Sequence, residues 1–138
     1  PEQIDVPLNA RVQRCNKITL GDDGNWLIIS IHANAGGGLG GWEVHTYLGQ
    51  STSDILATQL WNLAKIQLQG DTRMRGDWSD GDADWDSNFA ILRDTRCNAI
   101  LTENLFMDVE SDCKFLLSEK GRQEIAQLHI DFIKSIQK

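Results

Sequence analysis

His32 and Glu103 are the residues whose types and settings best suit hydrolytic chemistry. His32 follows the apolar run WLIISI at residues 26–31, and Glu103 follows the shorter run AILT at residues 99–102. In open α/β sheets ligands gather outside the carboxyl ends of strands, so two such runs lying parallel and adjacent bring both side chains to one crevice. An imidazole that ligates a cation, beside a carboxylate that shuttles a proton, is the pairing used in metal-assisted hydrolysis. A lone histidine at a strand end is more often an ordinary hydrogen-bonded polar residue; Glu103 is what tips the reading toward chemistry.

Other constellations carry less. Gly36, Gly38 and Gly41 satisfy G-x-G-x-x-G after a strand, but a dinucleotide fingerprint must open a helix, and the residues that follow have the alternation of a strand. A glycine hairpin is the better reading. Glu43 and His45 share one face of that next strand, either as an auxiliary pair near the crevice or, preferably, as an exposed cross-strand patch. His129 shares a helix face with Ile125 and Phe132, which favours packing. The aspartates of DGDADWD resemble the first positions of a calcium loop, yet the glycine is misplaced and no glutamate closes the loop, so a solvated loop is expected.

The elements that must position these residues alternate in type. Pro7 followed by Leu8, Val12 and Cys15 predicts a short amphipathic helix ending near Asn16, and GDDGN at residues 21–25 predicts a turn. Residues 26–31 form a continuous apolar run with β-branched members, expected to be a strand covered on both faces. WEVHTYL at residues 42–48 alternates and predicts a second strand. Ser51 opens a capping-box-like S-x-x-D before Leu56, Leu60, Leu63 and Ala64, a helix that Gly70 stops. Residues 71–88, rich in Asp, Gly and Trp, read as a long loop of a length that is usually functional. Short strands are expected at residues 89–92 and 99–102, then two helices that divide near Gly121 or just before it. The sum is an α/β domain with a mixed, largely parallel twisted sheet and helices on both faces.

Composition bounds the rest. With 138 residues one domain is the default, and a formal net charge of −7 leaves no basic stripe for nucleic acid. Cys15, Cys97 and Cys113 contain no C-x-x-C pair, which points to neither a zinc knuckle nor a disulfide framework. No apolar run reaches the length of a membrane span.

In order, NARVQRCN, IISIHANA, GWEVHTY, FAILRDT, AILTENLFM and a closing D-x-x-x-L from Asp112 to Leu116 resemble the zinc-dependent N-acetylmuramoyl-L-alanine amidases of the "amidase 3" type. The resemblance covers essentially the whole chain. It implies a peptidoglycan hydrolase that cuts the amide between N-acetylmuramic acid and the L-alanine of the stem peptide, with zinc as cofactor. His32 of S-I-H-A-N falls on a zinc ligand and Glu103 of L-x-E-x-x-F on the catalytic carboxylate, with the glycines leaving room above the metal. Asn34 and Glu43 are expected in the same crevice if the second strand folds back over it, and Asp82 and Trp85 of the acidic loop are expected to contact glycan or peptide. The family's first zinc histidine and its zinc glutamate precede the region that this chain matches. The reading is therefore of a single, N-terminally incomplete catalytic domain over residues 1–138 that needs an upstream segment for its remaining ligands and is not expected to fold alone. The implied setting is secreted, periplasmic or cell-wall associated, or that of a phage lysin. The alternative is a catalytically inactive relative that binds or regulates at the cell wall.

Overall fold

The computed structural model describes residues 5–21, 26–36, 38–70 and 72–137 of the chain. Pro7, at φ −54, fixes the backbone just ahead of α1 (Leu8–Ile18), which buries Val12. The predicted turn lies mostly outside the described residues. Then come β1 (Leu27–Asn34) and β2 (Trp42–Thr46). The helix α2 (Thr52–Gln67) starts at the expected capping box, with the Ser51 side chain accepting from Ser53 N and the Asp54 carboxylate from Ser51 N. The chain closes with β3 (Trp85–Asp86), α3 (Ala90–Arg93), β4 (Asn98–Phe106), α4 (Glu110–Leu117) and α5 (Glu119–Ile136). The last two helices divide at Ser118, whose hydroxyl accepts from Gly121 N and so caps α5.

The strands form one sheet in the order β1-β4-β2-β3. β1 runs parallel to β4 and β2 parallel to β3, while β2 and β4 are antiparallel. β4 therefore lies inside the sheet, and its alternation divides two layers. Ile100 joins Trp42, Val44, Leu60, Leu128 and Phe132 in the main core against α2 and α5, whereas Ala99 and Leu101 pack with Leu92, Ile28 and Ile91 on the opposite face. Truncating Phe132 to alanine would cost about 3–5 kcal/mol, the range for emptying an aromatic site in a packed core.

Three expectations change. Trp26 lies outside the strand and is 42% exposed, while β1 continues through His32 to Asn34. β1 is also an edge strand and not one covered on both faces: Ile31 is 58% exposed, and the fully covered strand is β2. Residues 89–92, expected as a strand, instead turn into α3, because Leu92 N and Arg93 N both donate to Phe89 O and the helical turn lays Ile91 and Leu92 on β4.

Candidate active site

His32 and Glu103 are Cα partners across the parallel β1–β4 pair, and Glu43 is the partner of Glu103 across β2–β4. Side chains in direct register stand on the same face of a sheet, so three strands deliver one imidazole and two carboxylates in a row. His32 and Glu103 open into one cavity of about 520 Å³, walled by Leu101 from the sheet, Arg11 from α1 and Phe89 and Arg93 beside α3. The convergence expected from the two apolar runs is therefore present, although both residues lie within their strands and not at the ends.

The two groups that face the cavity are available for chemistry. His32 is exposed, and its Nε2 lies 2.9 Å from the Ser30 hydroxyl, a neutral partner two residues back on the same face. Glu103 Oε2 is buried with no hydrogen-bond partner among the described residues. Burial pushes the Glu103 carboxyl above its ordinary range; the nearby His45 opposes this and the Glu43 charge adds to it.

Glu43 is held the other way. Its Oε1 accepts from Asn34 Nδ2 at 2.7 Å, its Oε2 accepts from Arg75 Nε at 2.5 Å, and His45 Nε2 lies 3.3 Å from Oε1. Burial alone would raise its pKa, but the hydrogen bonds and charges of His45 and Arg75 outweigh it and keep Glu43 below its usual value. His45 Nδ1 in turn meets Ser87 Oγ at 2.8 Å. The preference for an exposed patch is thereby corrected: Glu43 is 4% and His45 8% exposed, because the loop carrying Arg75 and Ser87 covers them. Two neighbouring carboxylates in environments that drive their pKa values apart is the arrangement that separates an ionised group from a proton carrier.

The opposite face of β4 supports the row. Trp42 Nε1 donates to Asn104 Oδ1 at 2.7 Å, and Asn104 Nδ2 donates to the His32 carbonyl at 2.9 Å and to Thr102 Oγ1 at 3.0 Å. Thr102 Oγ1 also meets His129 Nε2 at 3.0 Å, and His129 Nδ1 meets the Ile125 carbonyl at 2.8 Å. His129 thus packs as expected, with both ring nitrogens engaged. Past Glu103 the register slips between His32 and Asn34, and Leu105 carries φ 71, a conformation costly for a branched side chain. Beyond the bulge Met107 N donates to Asn34 O at 2.8 Å, which ties the ends of β1 and β4 together.

The remaining expected residues are dispersed. Asn34 and Glu43 bond to each other beside the cavity without lining it. Trp85 lies in a second depression of about 570 Å³ with Trp61, Trp78 and Arg75, and Asp82 borders a third with Gln50 and Asp80. Neither lines the His32–Glu103 cavity. Gly36 and Gly38 have open space around them, whereas a side chain at Gly40 would meet Asp112, whose Oδ2 accepts from Gly41 N and Phe106 N. β2 follows these glycines, which removes the dinucleotide reading. Arg75, Ser30 and Phe89 escaped the sequence reading; Arg75 sits in an aperiodic loop where nothing local announces its partner. Among the described residues no helix is long and apolar enough to cross a membrane.

Residues 2–135 match the family model for N-acetylmuramoyl-L-alanine amidase. Over 101 residues the chain is 35% identical to N-acetylmuramoyl-L-alanine amidase CwlM of Bacillus licheniformis, covering 73% of this chain and 36% of that protein. It is 29% identical over 115 residues to the endolysin of Bacillus phage SPP1, covering 80% of this chain and 40% of the endolysin. The chain thus spans less than half the length of these curated relatives. The crystal structure of an N-acetylmuramoyl-L-alanine amidase from Clostridium difficile 630 superposes with a TM-score of 0.81 at 23% identity, over 97% of this chain and 67% of that one. At that identity the superposition speaks for the α/β fold.

Proposed function

The chain belongs to the N-acetylmuramoyl-L-alanine amidase family, and on that premise we propose that the His32–Glu103 cavity hydrolyses the amide between the lactyl group of N-acetylmuramic acid and the L-alanine of the peptidoglycan stem. The observation that carries this reading is the buried, unpartnered Oε2 of Glu103 in the cavity onto which His32 opens.

Glu103 Oε2 takes a proton from the attacking water as its oxygen bonds to the scissile carbonyl carbon. The same carboxyl returns that proton to the alanine nitrogen as the C–N bond breaks, and the amine takes up the remaining proton of the new lactyl carboxyl, leaving a carboxylate and an ammonium group. A carboxyl raised by burial is suited to this second step, because it holds its proton more readily than an exposed one. Glu43, kept ionised by Arg75 and His45, contributes a fixed negative charge next to Glu103.

His32, with an accessible imidazole and only a hydroxyl for partner, fits one ligand position of a zinc ion. Zinc bound there would polarise the carbonyl and lower the pKa of its water. A catalytic zinc takes three protein ligands and an open position, so the other two ligands come from beyond the described residues. The open edge of β1 is where an upstream strand carrying them would pair. In the depression around Trp61, Trp78 and Trp85 the exposed ring of Trp78 offers an apolar face to sugar rings, which keeps Trp85 in a substrate-binding wall away from the reacting bond. The protein acts on the cell wall, as an autolysin or a phage lysin.

The test is the full-length protein on purified peptidoglycan. New amino-terminal L-alanine should appear, stop on chelation and return with zinc. Release of reducing sugar ends instead, or none of either with zinc fully loaded, would overturn the reading.

A further inference from the structure

We propose that Asp54, Asp82 and Asp84 form a calcium site, separate from the His32–Glu103 cavity, that fastens the loop ahead of β3 to the sheet and to the start of α2. The three residues come from two distant segments, yet one carboxylate oxygen of each lies within 4.8 Å of the others. None of them lines the His32–Glu103 cavity.

The cluster has more acceptors than donors. Asp54 Oδ2 accepts from Ser51 N and Ser51 Oγ, and Asp82 Oδ2 accepts from Gln50 Nε2. Thr46 Oγ1 has a single hydrogen to donate, yet it stands 3.0 Å from Asp54 Oδ1 and 2.5 Å from Asp84 Oδ2. When Asp84 is ionised, one of those contacts is oxygen against oxygen with no proton between.

Burial makes the deficit costly. Asp84 is only 3% exposed and its Oδ1 is buried without a partner among the described residues, as is Asp82 Oδ1. Buried polar atoms in native proteins are nearly always satisfied, and an ion is one of the few agents that satisfies two orphaned carboxylate oxygens together. Burial above all, opposed by the hydrogen bond from Thr46 and reinforced by the adjacent Asp82 and Asp54, pushes Asp84 up to about 7.

The donor set selects the ion. It is all oxygen and carries three carboxylates with no imidazole or thiolate, which suits a hard cation and not zinc. Asp82 borders an open depression, where water can complete the six to eight oxygens that calcium takes. The mechanical consequence runs along β3: Ser87 N donates to Thr46 O at 2.9 Å, and Ser87 is followed by Asn88 and Phe89, which wall the cavity. Fixing Asp82 and Asp84 against Thr46 therefore fixes the entrance of that wall.

The experiment uses full-length protein in calcium-free buffer with its zinc retained. Calcium chloride is titrated while the melting temperature is followed, and terbium luminescence excited through tryptophan, Trp85 being the next residue after Asp84, reports occupancy directly. The melting temperature should rise saturably by several degrees, and calcium should displace the terbium signal. Asp84→Asn supplies the missing donor, so its calcium-free melting temperature should be at or above that of the wild type, with the calcium rise and the terbium signal lost; Asp82→Asn should lose both responses as well. No rise and no displaceable terbium signal in the wild type would overturn the site, as would an undiminished response in both variants. A response to magnesium but not calcium would overturn the assignment of the ion.

Discussion

His32 on β1 and Glu103 on β4 are directly paired across a parallel ladder, with the Ser30 hydroxyl against the imidazole and, among the described residues, no partner for the inner carboxylate oxygen. Because the pairing is set by backbone hydrogen bonds in the sheet, their spacing does not depend on a mobile loop. Replacing His32 by alanine should therefore leave the fold intact and reduce bound zinc. Metal content of the purified full-length variant, with circular dichroism to confirm the fold, checks this; a full complement of zinc would remove His32 from the ligand set.

Arg75 compensates a carboxylate that is 4% exposed. Arg75→Met leaves Glu43 buried with only Asn34 and His45, and should cost about 1–3 kcal/mol, the penalty for orphaning part of a buried charged group. Adding Glu43→Gln should restore a portion of that loss, because the uncompensated charge goes with it. The double-variant cycle in urea unfolding measures the coupling; strict additivity would mean that the contact is not energetically real.

His129 lies under the sheet, where burial lowers its pKa against a smaller opposing pull from its bond to the Ile125 carbonyl. With the folded value below the unfolded one, the neutral form is favoured by folding. Its contribution is complete above about pH 6.5 and is lost as pH falls from there through the lowered folded value, by at most about 1.4 kcal/mol per pH unit for one proton. His129→Gln should flatten the unfolding midpoint between pH 7 and 5.5. An unchanged slope would assign the acid sensitivity elsewhere.

Gly38 and Gly40 separate backbone strain from collision. Both have positive φ, but a Cβ at Gly38 meets nothing while one at Gly40 comes within 2.3 Å of Asp112 Oδ2. Gly38→Ala should cost roughly 1 kcal/mol for the left-handed conformation. Gly40→Ala should cost more, since Asp112 must give up its bonds to Gly41 N and Phe106 N. Equal losses in thermal unfolding would show that Asp112 moves freely.

Legibility in the sequence followed whether an interaction was local. The capping box at Ser51 and the two apolar runs that carry His32 and Glu103 are patterns within a few residues, and they are present in the fold. Residues 89–92 are four apolar residues that fit a strand or one helical turn equally, and contact with β4 decides between them. The burial of Glu43 and His45 was invisible for a different reason: Arg75 and Ser87 lie 32 and 42 residues away along the chain. Asp84 likewise reads as solvated until Thr46 and Asp54 are brought beside it.

The central claim rests on Glu103 as the proton carrier, and Glu103→Gln isolates it, since the amide keeps the size of the side chain but cannot accept the proton. The measurement is the rate of amino-terminal L-alanine release from purified peptidoglycan by the full-length variant and wild type, each with its zinc content determined. The account predicts wild-type zinc and a rate lower by about 10²–10⁴-fold, the usual worth of a positioned acid or base. A zinc-loaded variant releasing L-alanine at close to the wild-type rate would contradict it.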